Sequence, residues 1–114
     1  MTLESTAERR DVLAVALAAA REGALLVEAG WRHHPRAEHK GPIDLVTKFD
    51  RDCEALLRAR LGENSAFPVV GEEAGGKRAT SPSEPTWYVD PIDGTTNFVH
   101  GHPFYAVSVG LLIG

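Results

Sequence analysis

Cysteine is nearly absent. Cys53 is the only one in 114 residues, so no disulfide can form within the chain. An excess of positive charge is also absent, because 12 Lys+Arg stand against 16 Asp+Glu, a net charge of −4. No basic tract is available to follow a phosphate backbone, which argues against nucleic acid as a partner. Long apolar runs are missing too. The stretch VLAVALAAA (12–20) ends at Arg21 and Glu22, far short of the ~20 residues of a membrane span. Glu4, Glu8 and Asp11 stand before it, where a signal peptide carries positive charge. These absences predict a cytoplasmic protein of a reducing compartment with no membrane partner. No repeat or low-complexity tract interrupts the chain. What is present, 43% hydrophobic and 25% charged residues, is the composition of one ordinary globular domain.

Ser5 followed by Glu8 has the spacing of a capping box. Leu13, Leu17, Ala20, Ala24 and Val27 then recur at helical spacing, predicting an amphipathic helix over 5–30 ended by Gly30. Residues 31–42 are polar and contain Pro and Gly, so they read as a loop or an edge hairpin. Their histidines, His33, His34 and His39, lack a fixed tetrahedral partner set and read as solvated. Thr47 caps a second helix, with Asp50 in its first turn. Phe49, Cys53, Leu56, Leu57 and Leu61 form its apolar face, and Gly62 is its expected stop. Cys53 on that face reads as a small buried hydrophobe, not a nucleophile. Short strands are predicted at 66–70, 87–89 and 104–113, with an exposed loop over 74–85. The last of these strands is apolar and runs to the final residue, so the chain reads as part of a longer protein.

Two strands end in acids: Glu72-Glu73 after the first, Asp90 and Asp93 after the second. Gathered carboxylates repel one another and are costly without a counter-ion. A hard divalent cation such as Mg²⁺, which takes oxygen ligands, removes that cost. Pro91 stiffens the D-P-I-D segment, so Asp90 and Asp93 can face one centre with the Ile92 carbonyl between them. Gly94-Thr95-Thr96-Asn97 has the composition of a helix start, whose free N–H groups suit a phosphate. Thr95 adds a hydroxyl that can orient a water. D-x-x-D-G alone is a common turn; with Glu72 upstream and the hydroxyls downstream, the pattern is that of a metal-dependent phosphatase.

DLVTKFD (44–50), GEE (71–73) and WYVDPIDGTTNFVHG (87–101), in that order, resemble the inositol monophosphatase family over nearly the whole chain. The resemblance implies an α+β fold, a layered αβαβα sandwich of the inositol monophosphatase/fructose-1,6-bisphosphatase type. Residues 1–114 would be its N-terminal portion, two helices packed on a mainly antiparallel sheet. It implies two or three Mg²⁺ per site, held by Glu72, Asp90, the Ile92 carbonyl and Asp93. Asp50, Glu72 and Thr95 would be catalytic, with Asp50 and Thr95 activating water. Asp93, Gly94, Thr95 and Thr96 would surround the substrate phosphate, Gly94 and Thr95 through backbone amides. Glu73 and Lys40 would stand behind the ligands, Lys40 at a spacing one residue shorter than the family's lysine.

The implied activity is hydrolysis of inositol monophosphate or a similar polyol phosphate, in a homodimer. The alternatives are fructose-1,6-bisphosphate, histidinol phosphate or a nucleotide 3′-phosphate as substrate, or a non-catalytic metal-binding remnant. Family members are longer than this chain. Their second half carries a W-D-x-A-x-G motif whose aspartate completes the second metal site, and these 114 residues contain no such motif.

Overall fold

The structure is a computed structural model that describes residues 3–32, 37–39, 45–76 and 83–113. Helix α1 spans Thr6–Trp31 and starts as its sequence demands: the Glu8 N–H donates to the Ser5 hydroxyl at 3.1 Å. It does not stop at Gly30. The helix continues to Trp31, and Gly30 is buried inside its last turn, where any Cβ would strike the Phe49 ring. Glycine is there for close packing and not as a terminator.

The buried line of α1 also differs from the predicted one. Val12, Ala19, Gly23, Val27 and Gly30 face inward, while Leu13 and Leu17 are 57% and 45% exposed. Close approach decides this. A Cβ on Gly23 would lie 3.1 Å from the Cys53 sulfur and 3.2 Å from Leu57, so α1 turns its smallest residues to its neighbour.

That neighbour is α2, Lys48–Asn64. Strands β1 (Ala37–His39) and β2 (Leu45–Thr47) precede it and pair antiparallel, Ala37 opposite Thr47. The predicted edge hairpin is therefore present in part, while His33, His34 and Lys40 lie outside the described residues. Thr47 opens α2 with a complete capping box. Its hydroxyl accepts from the Asp50 N–H, and the Asp50 carboxylate accepts from the Thr47 N–H. Cys53, Leu57 and Leu61 are fully buried on the inner face. Gly62 does not end this helix either, because the turn runs on to Asn64, whose Nδ2 donates to the Arg60 carbonyl at 2.8 Å.

Three strands form the sheet that carries the motif residues, in the order β3 (Val69–Gly71), β4 (Thr86–Asp93), β5 (Ala106–Leu112). β3 and β4 run parallel and β4 and β5 antiparallel, so the sheet is mixed. α2 packs on β4 and α1 on β5. Trp87 opposite Leu111 and Val89 opposite Val109 join the hydrophobic core with Val27, Leu57 and Phe98. β3 is shorter than predicted and begins only after Pro68, which lacks an N–H but accepts from the Trp87 amide at 2.8 Å. β4 is longer: Asp90, Pro91, Ile92 and Asp93 are strand residues, not a turn after one. Its ladder to β5 shifts register between Asp90 and Asp93, around the proline that has no N–H to give. Among the described residues no helix is long and apolar enough to cross a membrane.

Candidate active site

The register shift ends in Gly94, which takes the left-handed conformation at φ 96° and caps the short helix α3, Thr95–Val99. Only glycine fits, since a Cβ there would lie 2.8 Å from the Phe104 carbonyl oxygen as well as in a strained φ. Phe98 anchors α3 from below. It is fully buried, 5.2 Å from the Tyr105 ring and 6.1 Å from Phe49, both edge-on. Asn97 ties the far side, its Nδ2 donating to Phe104 O at 2.9 Å. The residues after D-G therefore hold the turn rigid, and Thr95 is set by them.

Thr95 Oγ1 has two acceptors in reach, Asp50 Oδ1 at 2.9 Å and Ile92 O at 3.0 Å. Asp50 is 1% exposed. Its other oxygen accepts from the Thr47 N–H at 2.9 Å and the Thr47 hydroxyl at 2.6 Å. A buried carboxylate is tolerable when donors satisfy it, and here they do. The predicted Asp50–Thr95 partnership and the Ile92 carbonyl are thus brought together in one hydrogen-bonded unit.

The other carboxylates lie along the sheet. Glu72 is exposed just past β3, and Asp90 is half-buried on β4. With Val70, Tyr88 and Ser108 they line a groove of about 300 Å³. The Asp90 carboxyl is pushed up to about 7, first by burial, then by a hydrogen bond and the charge of Glu72, then by the charge of Asp93; a hydrogen bond to the Ile92 backbone opposes this. Glu72 and Asp90 thus share one groove and act on each other there, while Asp93, exposed at the end of β4, is felt through its charge. Among the described residues no three His, Cys, Asp or Glu side chains close on one centre. Thr96 is exposed at the start of α3, and its carbonyl accepts from the His100 N–H at 3.2 Å.

Two residues escaped the sequence reading. Glu54, 2% exposed on α2, accepts from the Glu73 N–H at 2.8 Å and the Ala74 N–H at 2.7 Å. Arg58 donates to Glu54 at 3.4 Å, to the Val69 carbonyl at 3.3 Å and to the Gly75 carbonyl. The available signal was spacing: Asp50, Glu54 and Arg58 recur at i, i+4 and i+8, on one helix face. Cys53 behaves as expected. Its thiol is buried and pushed up to about 12 by burial, then by the charges of Asp50, Glu54 and Asp90, so it is no nucleophile.

The family model of the inositol monophosphatase family matches residues 8–114. An inositol monophosphatase of Mesembryanthemum crystallinum is 45% identical over 111 residues, covering 91% of this chain and 40% of that protein. Among solved structures, the extragenic suppressor protein suhB of Bartonella henselae superposes with a TM-score of 0.80 at 33% identity. That match covers 88% of this chain and 40% of that one. Mycobacterium tuberculosis SuhB gives a TM-score of 0.68 at 38% identity, over 98% of this chain and 38% of its own. The chain therefore spans about 40% of the length of the relatives it matches. Motif order, fold and sequence agree, and the chain belongs to the inositol monophosphatase family.

Proposed function

We propose that this chain carries the water-activating part of a Mg²⁺-dependent phosphomonoesterase acting on inositol monophosphate or a similar polyol phosphate, with two or three Mg²⁺ per site. The observation that carries this reading is the Thr95 hydroxyl, 2.9 Å from buried Asp50 and 3.0 Å from the Ile92 carbonyl, just past the end of the strand that carries Asp90. The donors suit such an ion. Glu72, Asp90, Asp93 and the Ile92 carbonyl would hold it, and all are hard oxygens. The raised Asp90 carboxyl, next to Glu72 and Asp93, marks negative charge that a cation would neutralise. When bound, such ions polarise phosphate oxygens and make a nucleophile available near neutral pH.

The chain's own residues handle the proton. Were the Ile92 carbonyl to serve as a ligand, the Thr95 proton would have Asp50 Oδ1 as its remaining acceptor. The Thr95 oxygen then turns a lone pair towards the attacking water and takes a hydrogen bond from it. Thr47 grips the other Asp50 oxygen, so the carboxylate cannot swing away. As the new P–O bond forms and the ester bond breaks in line, the water's proton passes towards Thr95 and Asp50. The departing alkoxide takes a proton from solvent water and leaves as an alcohol, and Asp50 gives up to solvent the proton it received. Gly94, Thr95 and Thr96, at the start of α3, would meet the phosphate with backbone N–H groups, beside Asp93.

Phosphate release from inositol 1-phosphate, with and without Mg²⁺, tests this reading alongside direct Mn²⁺ binding. Release that needs Mg²⁺ and disappears in Asp93→Asn is expected. A protein that binds no divalent ion overturns the proposal.

A further inference from the structure

We infer that Glu54 is the positioning residue for the Glu72 carboxylate, a role that rests on the metal-site reading above. Glu72 is exposed and follows the last residue of a three-residue strand. The chain on both sides of it is held from α2. Glu54 takes the amides of Glu73 and Ala74, one on each carboxylate oxygen. Arg58 holds the carbonyls of Val69 and Gly75 and closes on Glu54 itself. The Gly71 N–H donates to Gly75 O at 2.9 Å, completing the turn. One carboxylate and one guanidinium thus bind four backbone groups that bracket Glu72.

The site has been cleared for this. A side chain at Gly71 would run into Oε1 and Cδ of Glu54, so glycine there leaves the carboxylate its place. The chemistry also requires an acid. Two amide donors need two acceptor oxygens, and a glutamine offers one oxygen and one competing N–H pair. A carboxylate 2% exposed, in a region already rich in negative charge, is costly unless its placement matters. What it places is the backbone that delivers Glu72 to Asp90.

The test is Mn²⁺ affinity of the chain, with hydrogen exchange at the Glu73 and Ala74 amides, in wild type, Glu54→Gln, Gly71→Ala, Glu72→Gln and the core control Leu57→Ala. Glu54→Gln is expected to weaken Mn²⁺ binding at least tenfold and to speed exchange at both amides. Gly71→Ala, which leaves Glu54 in the sequence but displaces it, is expected to weaken Mn²⁺ binding likewise. Leu57→Ala is expected to lower stability without changing the affinity. Wild-type affinity in a folded Glu54→Gln, or in Gly71→Ala, overturns the inference while Glu72→Gln still loses the ion. If wild type itself binds no Mn²⁺, the metal reading fails and takes this inference with it.

Discussion

The carboxylates on α2 and those on the sheet live under opposite conditions. Asp50 and Glu54 are almost completely buried, yet each has protein donors on both oxygens or an arginine beside it. Glu72 and Asp90 are more open and have each other as neighbours, with Asp93 adding to the repulsion. Burial alone therefore does not sort these acids; what sorts them is whether the chain supplies their partners. Glu54, whose partners are all supplied by the chain, holds architecture, buried Asp50 is tied to the Thr95 hydroxyl, and the acids that crowd one another are the ones whose charge the chain leaves uncompensated.

Removing a buried acid should hurt most. Glu54→Ala leaves two amides and Arg58 without their acceptor and is expected to cost about 3–5 kcal/mol. Asp90→Asn removes a repulsive charge and is expected to leave metal-free stability unchanged or raise it. Urea unfolding of the two variants checks this, and a large loss in Asp90→Asn would erase the distinction. Next in size, Thr47→Ala removes both the cap of α2 and one grip on Asp50, at an expected cost of about 1–2 kcal/mol. Thr47→Ser keeps the hydroxyl and should recover most of that loss in the same measurement.

A pH titration separates the two groups further. In the unfolded chain an aspartate titrates near ~3.9, whereas Asp90 in the metal-free native state titrates at about 7. Between these values the native state keeps a proton that the unfolded state has released, so stability falls as pH rises from ~4 to about 7. The slope should flatten in Asp90→Asn and when Mg²⁺ is added, as followed by melting temperature in EDTA and in Mg²⁺. The smallest effect concerns Cys53. With its thiol pushed up to about 12, the native protein should not react with thiol reagents at pH 8, and reaction should begin only in denaturant.

The two helices and the Thr47 cap with Asp50 were legible because each announces itself within a few residues, and the Asp90, Asp93 and Thr95 motif stood out in the same way as a candidate site. The glycines were not. Gly30 and Gly62 look like helix stops in the sequence, but Gly30 makes room for a ring from α2 and Gly62 lies within α2. The inward line of α1 was misread because leucine content pointed one way and close helix packing the other. Glu54 stayed hidden for a related reason. Its partners are backbone amides 19 and 20 residues away, and backbone groups leave no mark in a sequence.

Helix α2 also sets the order in which the site is cheapest to assemble. Glu54 reaches Ala74 across 20 residues, whereas Asp50 reaches Thr95 across 45. Closing the longer loop costs roughly 0.7 kcal/mol more in chain entropy. Both closures use the same rigid strut, so the first brings β3 against the helix and shortens the search that remains for Thr95. The turn that carries Glu72 is thus the less costly of the two to close.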